Sequence, residues 1–485
     1  MTPVFAMILA AAFTRPMERV ATLDPAFAQS VYDSRVAQLL YETPLNIDYY
    51  ARPYALTAGY CEMPEVSADG LVYVFRTRGG PAQDMVRSLE RLRDPDLVTP
   101  NGWILKSVDT IRAVDDRTVE VRLKSRCHFF PWLMAMSPAS VRRPDGSGTG
   151  PFELASWRKN HEMVFKRRVA EQGRFDTVRY LVIDDLSTQW LMFLKGEIDF
   201  LGEISKDNWD VVMGKDGKLD PSLAATGVRL HSIPTLEVFY MGINMRDPVL
   251  GPNRKLRQAL NAAFDYPRWE AYFSRRTVPA DGPVPPGVDG KLSAPFKYAF
   301  DLDLAKRLVG EAGYPDGIDP ATGRRLVLTL SFGRASAGSR EMGELLASFY
   351  EKIGIKLELS FKTWDAFLKA VNKGRVQMYN MGWVGDYPDA ENFLQLFYSK
   401  NVSPGPNHSH YVNPEYDREY DAAMAAPTAE ERNRHWAACQ EMVREDCPWV
   451  FGHFGKSNSL VRPRVGNYVP SDFPYGQEAY FTVAE

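Results

Sequence analysis

The feature that most constrains this chain is a hydrophobic period that switches repeatedly between residues 326 and 381. Leu326, Leu328, Leu330 and Phe332 alternate with Val327, Thr329 and Ser331, as in a strand with one face buried. Met342, Leu345, Leu346, Phe349, Tyr350 and Ile353 then form one helical stripe, and Gly354 supplies the stop. Period two returns at Ile355, Leu357, Leu359 and Phe361; a short helix over about 365–372 leads through Gly374 into a third strand, 376–381. Strand, helix, strand, helix, strand with short connections predicts a parallel sheet with right-handed crossovers, so this half is α/β. Upstream, Leu256, Ala259, Leu260, Ala263 and Phe264 predict an amphipathic helix after a strand-like run, 238–243.

The N-terminal half is more broken. Strands are expected over 71–77, 118–123 and 180–183, and helices over 30–41, 83–93 and 188–194, with a turn-rich stretch at 143–151. This pattern suggests a mixed lobe beside the parallel one. The 485 residues allow several domain-sized units. With 58 Lys plus Arg against 61 Asp plus Glu, the net charge of −3 provides no whole-chain positive field, and nucleic acid is not an expected partner.

No apolar run reaches the length of a membrane-spanning helix. Residues 3–13 have the length of a signal-peptide core and end in small residues, but no Lys or Arg precedes them. Two readings of 1–17 stay open: a degenerate export signal, or a buried N-terminal strand. Cys61, Cys127, Cys439 and Cys447 lack metal-site spacing and read as packing thiols, with a Cys439–Cys447 disulfide as an alternative in an oxidising compartment. Nucleophile-elbow, zinc-protease and phosphate-loop motifs are absent, so neither an enzyme nor a cofactor is expected. His408 and His410 could grip a metal, but no third ligand accompanies them.

In an open parallel sheet, ligands bind beyond the carboxyl ends of the strands. The first strand is followed by Arg334, the second by Trp364, and the third by the run Gly382, Trp383, Val384, Gly385, Asp386. Each has a structural reading too: a surface ion pair for Arg334, core packing for Trp364, a turn for Asp386, and a helix N-cap for Asp389. A cation, two indoles and a carboxylate on one edge nevertheless suit a solute carrying both charges and an apolar part.

These residues also carry a family resemblance. GWVGDYPDAENFL (382–394) followed by HYVNPEYD (410–417) resembles the signature of the family 5 solute-binding proteins of ABC transporters. The resemblance continues in TLDPA (22–26), LLYET (39–43), MPEVSADGLVYVFRTR (63–78), GTGPFELASW (148–157), LKGEIDF (194–200), NRKLRQALNAAFD (253–265), DLAKRLVGEAGYP (303–315) and KIGIKLEL (352–359). One departure follows Arg78, where the chain lacks the family's usual GVxFxDG stretch and runs directly into Gly79 and Gly80.

The resemblance implies an α/β clamp of two lobes joined by two hinge strands, with a small inserted subdomain. Here it places lobe I at 18–45, 150–236 and 455–485, the insert at 46–149 and lobe II at 237–454, with crossings near 236–243 and 449–453. It implies an exported monomer, periplasmic or cell-surface, that binds a short peptide and serves an ABC transporter permease. Asp386 corresponds to the family's ammonium-binding aspartate and Trp383 to the tryptophan of its GW motif. Arg334 falls near the arginine that holds the peptide carboxylate, and Gln29, Ser30 and Val31 match a segment whose backbone lines the cleft. Three rivals remain: a metal-chelate or oligosaccharide cargo, a divergent paralogue that folds but does not serve transport, and a hydrolase using Asp386 and Glu391 as a carboxylate pair.

Overall fold

The computed structural model describes residues 11–213, 218–403 and 405–484. The chain divides into two compact units, Met1–Ile233 with Ser457–Glu485, and Pro234–Lys456. It leaves the first unit within the long strand Arg229–Ile243 and returns within Trp449–Val461. The expected crossing segments, 236–243 and 449–453, are the inner and mostly buried parts of these strands. The boundaries fall outside them, after Ile233 and after Lys456, beside polar residues: His231 and Ser232 in one strand, Lys456, Ser457 and Asn458 in the other.

In the first unit, a four-stranded sheet runs Ala12–Met17, Thr177–Val182, Glu162–Arg167, Phe152–Arg158, its first pair parallel and the others antiparallel. Part of the segment 1–17 is therefore a strand of this sheet. Residues 1–10 lie outside the described residues, but from Ala12 the chain is a strand whose Phe13 is fully buried. Its Thr14 N–H donates to the buried Asp199 carboxylate at 2.8 Å, and its Arg15 meets the buried Glu478 carboxylate at 3.4 Å while lying over the Phe200 ring. A second, antiparallel sheet orders Glu65–Val66, Val72–Arg76, Thr118–Leu123 and Val108–Ala113, with helix Ala82–Glu90 packed on it. The shortened stretch after Arg78 is a tight turn. Tyr60 packs so closely on Gly80 that an added Cβ would lie 2.1 Å from its hydroxyl, and that hydroxyl donates to the Pro81 carbonyl.

In the second unit the strands lie in the order Trp449–Val461, Arg229–Ile243, Met378–Val384, Val327–Phe332, Lys356–Phe361. Val327–Phe332 is parallel to both its neighbours, as the alternating periods require. Helix Ala337–Glu351, capped by the Ser336 hydroxyl, buries Leu346, Phe349 and Tyr350 against Leu328 and Leu330. It stops at Gly354, whose φ of +80° suits glycine and whose close approach to Asp316 leaves no room for a Cβ.

All four cysteines are buried and free, so Cys439 and Cys447 form no disulfide here. They lie on opposite sides of a helix end: Cys439 inside Ala429–Asp446, Cys447 at its left-handed cap. Burial pushes the Cys61 thiol up to about 12 and raises Cys439 and Cys447 as well. A thiol reagent should therefore label none of them rapidly in the folded protein and all four in guanidinium, which a colorimetric thiol titration reads directly.

Candidate functional site

Because the strands Met378–Val384, Val327–Phe332 and Lys356–Phe361 are parallel, their carboxyl ends share one edge of the second unit. Arg334 lies on the loop after Val327–Phe332, exposed, and its guanidinium makes no hydrogen bond or ion pair among the described residues. Trp364 opens the helix Trp364–Asn372 and is 54% exposed, tilted over Phe367 at 5.6 Å. Its ring also covers Gly333, where an added Cβ would come within 2.7 Å. That contact joins the first two loops beside Arg334.

The third strand reaches further than its periodicity predicts. It includes Gly382, Trp383 and Val384 because Val238 and Glu237 of the long strand pair with Trp383 and Val384. Gly382 is needed there: the Phe239 ring would sit 2.7 Å from any Cβ. Val384 is 62% exposed, whereas the Trp383 indole N–H donates to the Asn392 Oδ1 at 2.9 Å.

Asp386 follows in the turn. Its backbone N–H also donates to Asn392 Oδ1, at 3.3 Å. Asp386 is exposed, and the protein packed around its carboxyl still pushes it above the ordinary aspartate range, with the Asn392 amide opposing the shift. No cation pairs with it among the described residues. Asn392 is fully buried, and its Nδ2 has no hydrogen-bond partner within normal distance. Sequence reasoning missed Asn392, since one buried amide in a four-residue helix, Glu391–Leu394, leaves no periodic signal.

Beneath the turn, Glu391 is buried, accepting from the Tyr387 hydroxyl at 2.5 Å and from the Tyr420 hydroxyl. Burial raises both phenols well above their usual range, so they remain donors. Glu391 is thus held by two phenol hydroxyls, which occupy both oxygens of the carboxylate that the hydrolase reading needs. Asp389 accepts the Glu391 N–H at 2.9 Å, close to its expected capping role, although the residue at the cap position is Ala390.

Gln29, Ser30 and Val31 belong to the first unit. Ser30 caps helix Val31–Leu40 in a reciprocal box with Asp33, and its own N–H and carbonyl are used by Asp33 and Ser34. Among the described residues there is no group of three or more metal-ligating side chains, and His408 and His410 have no third partner. Both imidazoles are pushed below their usual value, chiefly by burial.

The raised carboxyl has a consequence for stability. A folded-state value above the unfolded one means that ionising Asp386 costs stability as pH rises from the ordinary aspartate range through the raised value. Asp386→Asn mimics the protonated form. Its melting temperature relative to wild type should therefore increase from about pH 3 to about pH 6, where model carboxylates titrate; a flat difference in calorimetry would reject the desolvated carboxylate.

The fold and its parallel-sheet edge define the class, a two-lobed clamp of the periplasmic-binding-protein type, and the comparisons with known proteins agree. The periplasmic murein tripeptide binding protein MppA, in its unliganded open form, superposes with a TM-score of 0.82 at 21% identity, covering 98% of each chain. Heme-binding protein A of Haemophilus influenzae is 26% identical over 475 residues, 87% of this chain and 82% of that protein. The glutathione-binding protein GsiB of Salmonella typhimurium is 25% identical over 466 residues, 88% and 86% of the two chains. The family model for bacterial extracellular solute-binding proteins, family 5 Middle, matches residues 55–405.

The chain belongs to the family 5 bacterial extracellular solute-binding proteins. It is a solute-binding component of ABC importers, not an enzyme. Among the described residues, no helix is long and apolar enough to cross a membrane.

Proposed function

We propose that this protein captures short peptides outside the cytoplasm by their free α-ammonium group and delivers them to a membrane permease. The observation that carries the reading is Asp386: an exposed carboxylate with no protein cation beside it among the described residues, in the turn that follows a parallel strand, its carboxyl raised by the protein packed around it. Such a group suits a cation brought by the solute. Arg334, exposed and unpaired on a loop of the same edge, suits the opposite terminus. Trp364 and Trp383 supply apolar walls. The tripeptide in MppA's name is consistent with this cargo.

Native mass spectrometry of the purified protein tests the reading. A co-purified peptide supports it, whereas a porphyrin, metal chelate or sugar in the same place overturns it. Small-angle scattering should also show a smaller radius with peptide than without, because a clamp binds by shifting its population to the closed form. An unchanged radius with peptide bound would reject the clamp.

A further inference from the structure

The strand Val327–Phe332 is parallel to both its neighbours, a position in which strands are usually apolar on both faces. Here only one face is apolar: Leu328, Leu330 and Phe332 pack with Leu346 and Phe349 of helix Ala337–Glu351. The other face carries Thr329 and Ser331, and both line a recess of about 590 Å³ within the second unit. Ser360 joins them, paired with Ser331 across the ladder. Ser331 is 2% exposed; its hydroxyl makes no hydrogen bond among the described residues and keeps access to the recess.

The charged groups of the lining decide what fits. Arg246 and Arg375 are exposed, and neither guanidinium makes a hydrogen bond or ion pair among the described residues. Lys362 donates to the Ser360 hydroxyl and meets no carboxylate. Among the described residues, Asp247 is the one carboxylate in the lining, and it is occupied. Its Oδ1 accepts the Val249 and Leu250 N–H groups at 3.0 and 2.8 Å, and the Gln377 amide donates to both oxygens at 3.3 Å. Glu358, further along the neighbouring strand, is paired with Lys356 at 2.8 Å. Three cations against one carboxylate leave the recess positive. That charge reaches His410, whose imidazole is pushed below its usual value by burial first and by Arg246 second.

We propose that this recess binds the phosphate group of a small ester. Arg246 and Arg375 provide forked donors that match a tetrahedral oxyanion, Lys362 adds a third charge, and the Ser331 and Thr329 hydroxyls donate from the sheet. The volume exceeds that of a bare phosphate and falls within the range of small-molecule sites, so an organic body fits beside the anion. A free phosphate ester and a phospholipid headgroup share this chemistry. The lining has no residue in common with the Asp386 turn, and the proposal does not rest on the amine-binding reading.

Calorimetry with phenyl phosphate at low ionic strength tests it on wild type, Arg246→Gln, Arg375→Gln and Lys369→Gln, beside sedimentation with vesicles of phosphatidylglycerol in phosphatidylcholine. Lys369 is exposed on helix Trp364–Asn372 and lies outside the lining, so its variant removes the same charge elsewhere. Each arginine substitution should weaken phenyl phosphate binding by about 10- to 150-fold, the equivalent of one charge-assisted hydrogen bond, while Lys369→Gln leaves it nearly unchanged. Ser331→Ala, with a melting curve confirming that it is folded, should weaken it by roughly 2- to 10-fold, the worth of an ordinary hydrogen bond. Phenyl phosphate binding with this pattern identifies a free ester as the ligand. Vesicle binding alone, lost in both arginine variants and kept by Lys369→Gln, identifies a lipid phosphate. Binding of neither kind, or losses that do not separate the two arginines from Lys369, overturns the site.

Discussion

Asp386→Asn is expected to weaken binding of a free-amine peptide by roughly 30-fold to a few thousand-fold. Truncating one partner of a desolvated charge pair costs ~2–5 kcal/mol, because the other charge is left buried and unmatched, and each 1.4 kcal/mol is one decade. The substitution keeps the shape of the side chain, and the backbone N–H that bonds Asn392 is untouched. An N-acetylated peptide carries no charge at that terminus, so its affinity should change far less. Asp389→Asn is the matched control: the Asp389 Oδ1 accepts the Glu391 N–H, which an amide oxygen does as well. Equal losses for the free and acetylated peptides in calorimetry would mean that the turn had deformed, and no loss at all would remove the ammonium anchor.

Deleting residues 1–17 should leave the first unit unfolded. The deletion removes a strand paired in register from Ala12 with Thr177 to Met17 with Val182. It removes Phe13, fully buried between Phe175 and Phe481, a loss of about 3–5 kcal/mol by analogy with large core truncations. It also strips Arg15 from Glu478, whose side chain is fully buried, and leaving a buried charge without its partner costs about 3–5 kcal/mol more. Together these approach the whole stability of a typical domain, about 5–15 kcal/mol. Arg15→Met alone should lower the melting temperature by several degrees, at about 4–8 °C per kcal/mol in a small domain and less in a larger one. A truncated protein with an unchanged two-step melting curve would show that the strand is dispensable.

How much was legible depends on the range of the interactions involved. The parallel half could be read because its information is local: Leu328 and Leu330 face the stripe of Leu346, Phe349 and Tyr350 within one crossover. The Ser30–Asp33 box is a four-residue matter, and the helix start over 30–41 follows from it. The extension through Trp383 and Val384 was not legible, since their partners Val238 and Glu237 lie far away in sequence. The strand Ala12–Met17 was ambiguous for a related reason. Its short apolar run suits either an export signal or a strand, and its decisive partners, Asp199 and Glu478, come from distant parts of the chain. At the site, the shared edge of Arg334, Trp364 and Asp386 followed from topology. The enclosure of Glu391 was not legible: Tyr387 lies in the turn before helix Glu391–Leu394, where no helical spacing applies, and Tyr420 arrives from a separate helix.

The hydrogen bonds beneath the turn bear on the kinetics of capture. Glu391 held between Tyr387 and Tyr420, and Asn392 bonded to both Trp383 and the Asp386 backbone, set the shape of the turn during folding, before any solute arrives. An acceptor already in position needs little local rearrangement at encounter, so association should vary little from one solute to the next. Discrimination among solutes then lies in how long each one stays, and related ligands should be separated mainly by their dissociation rates.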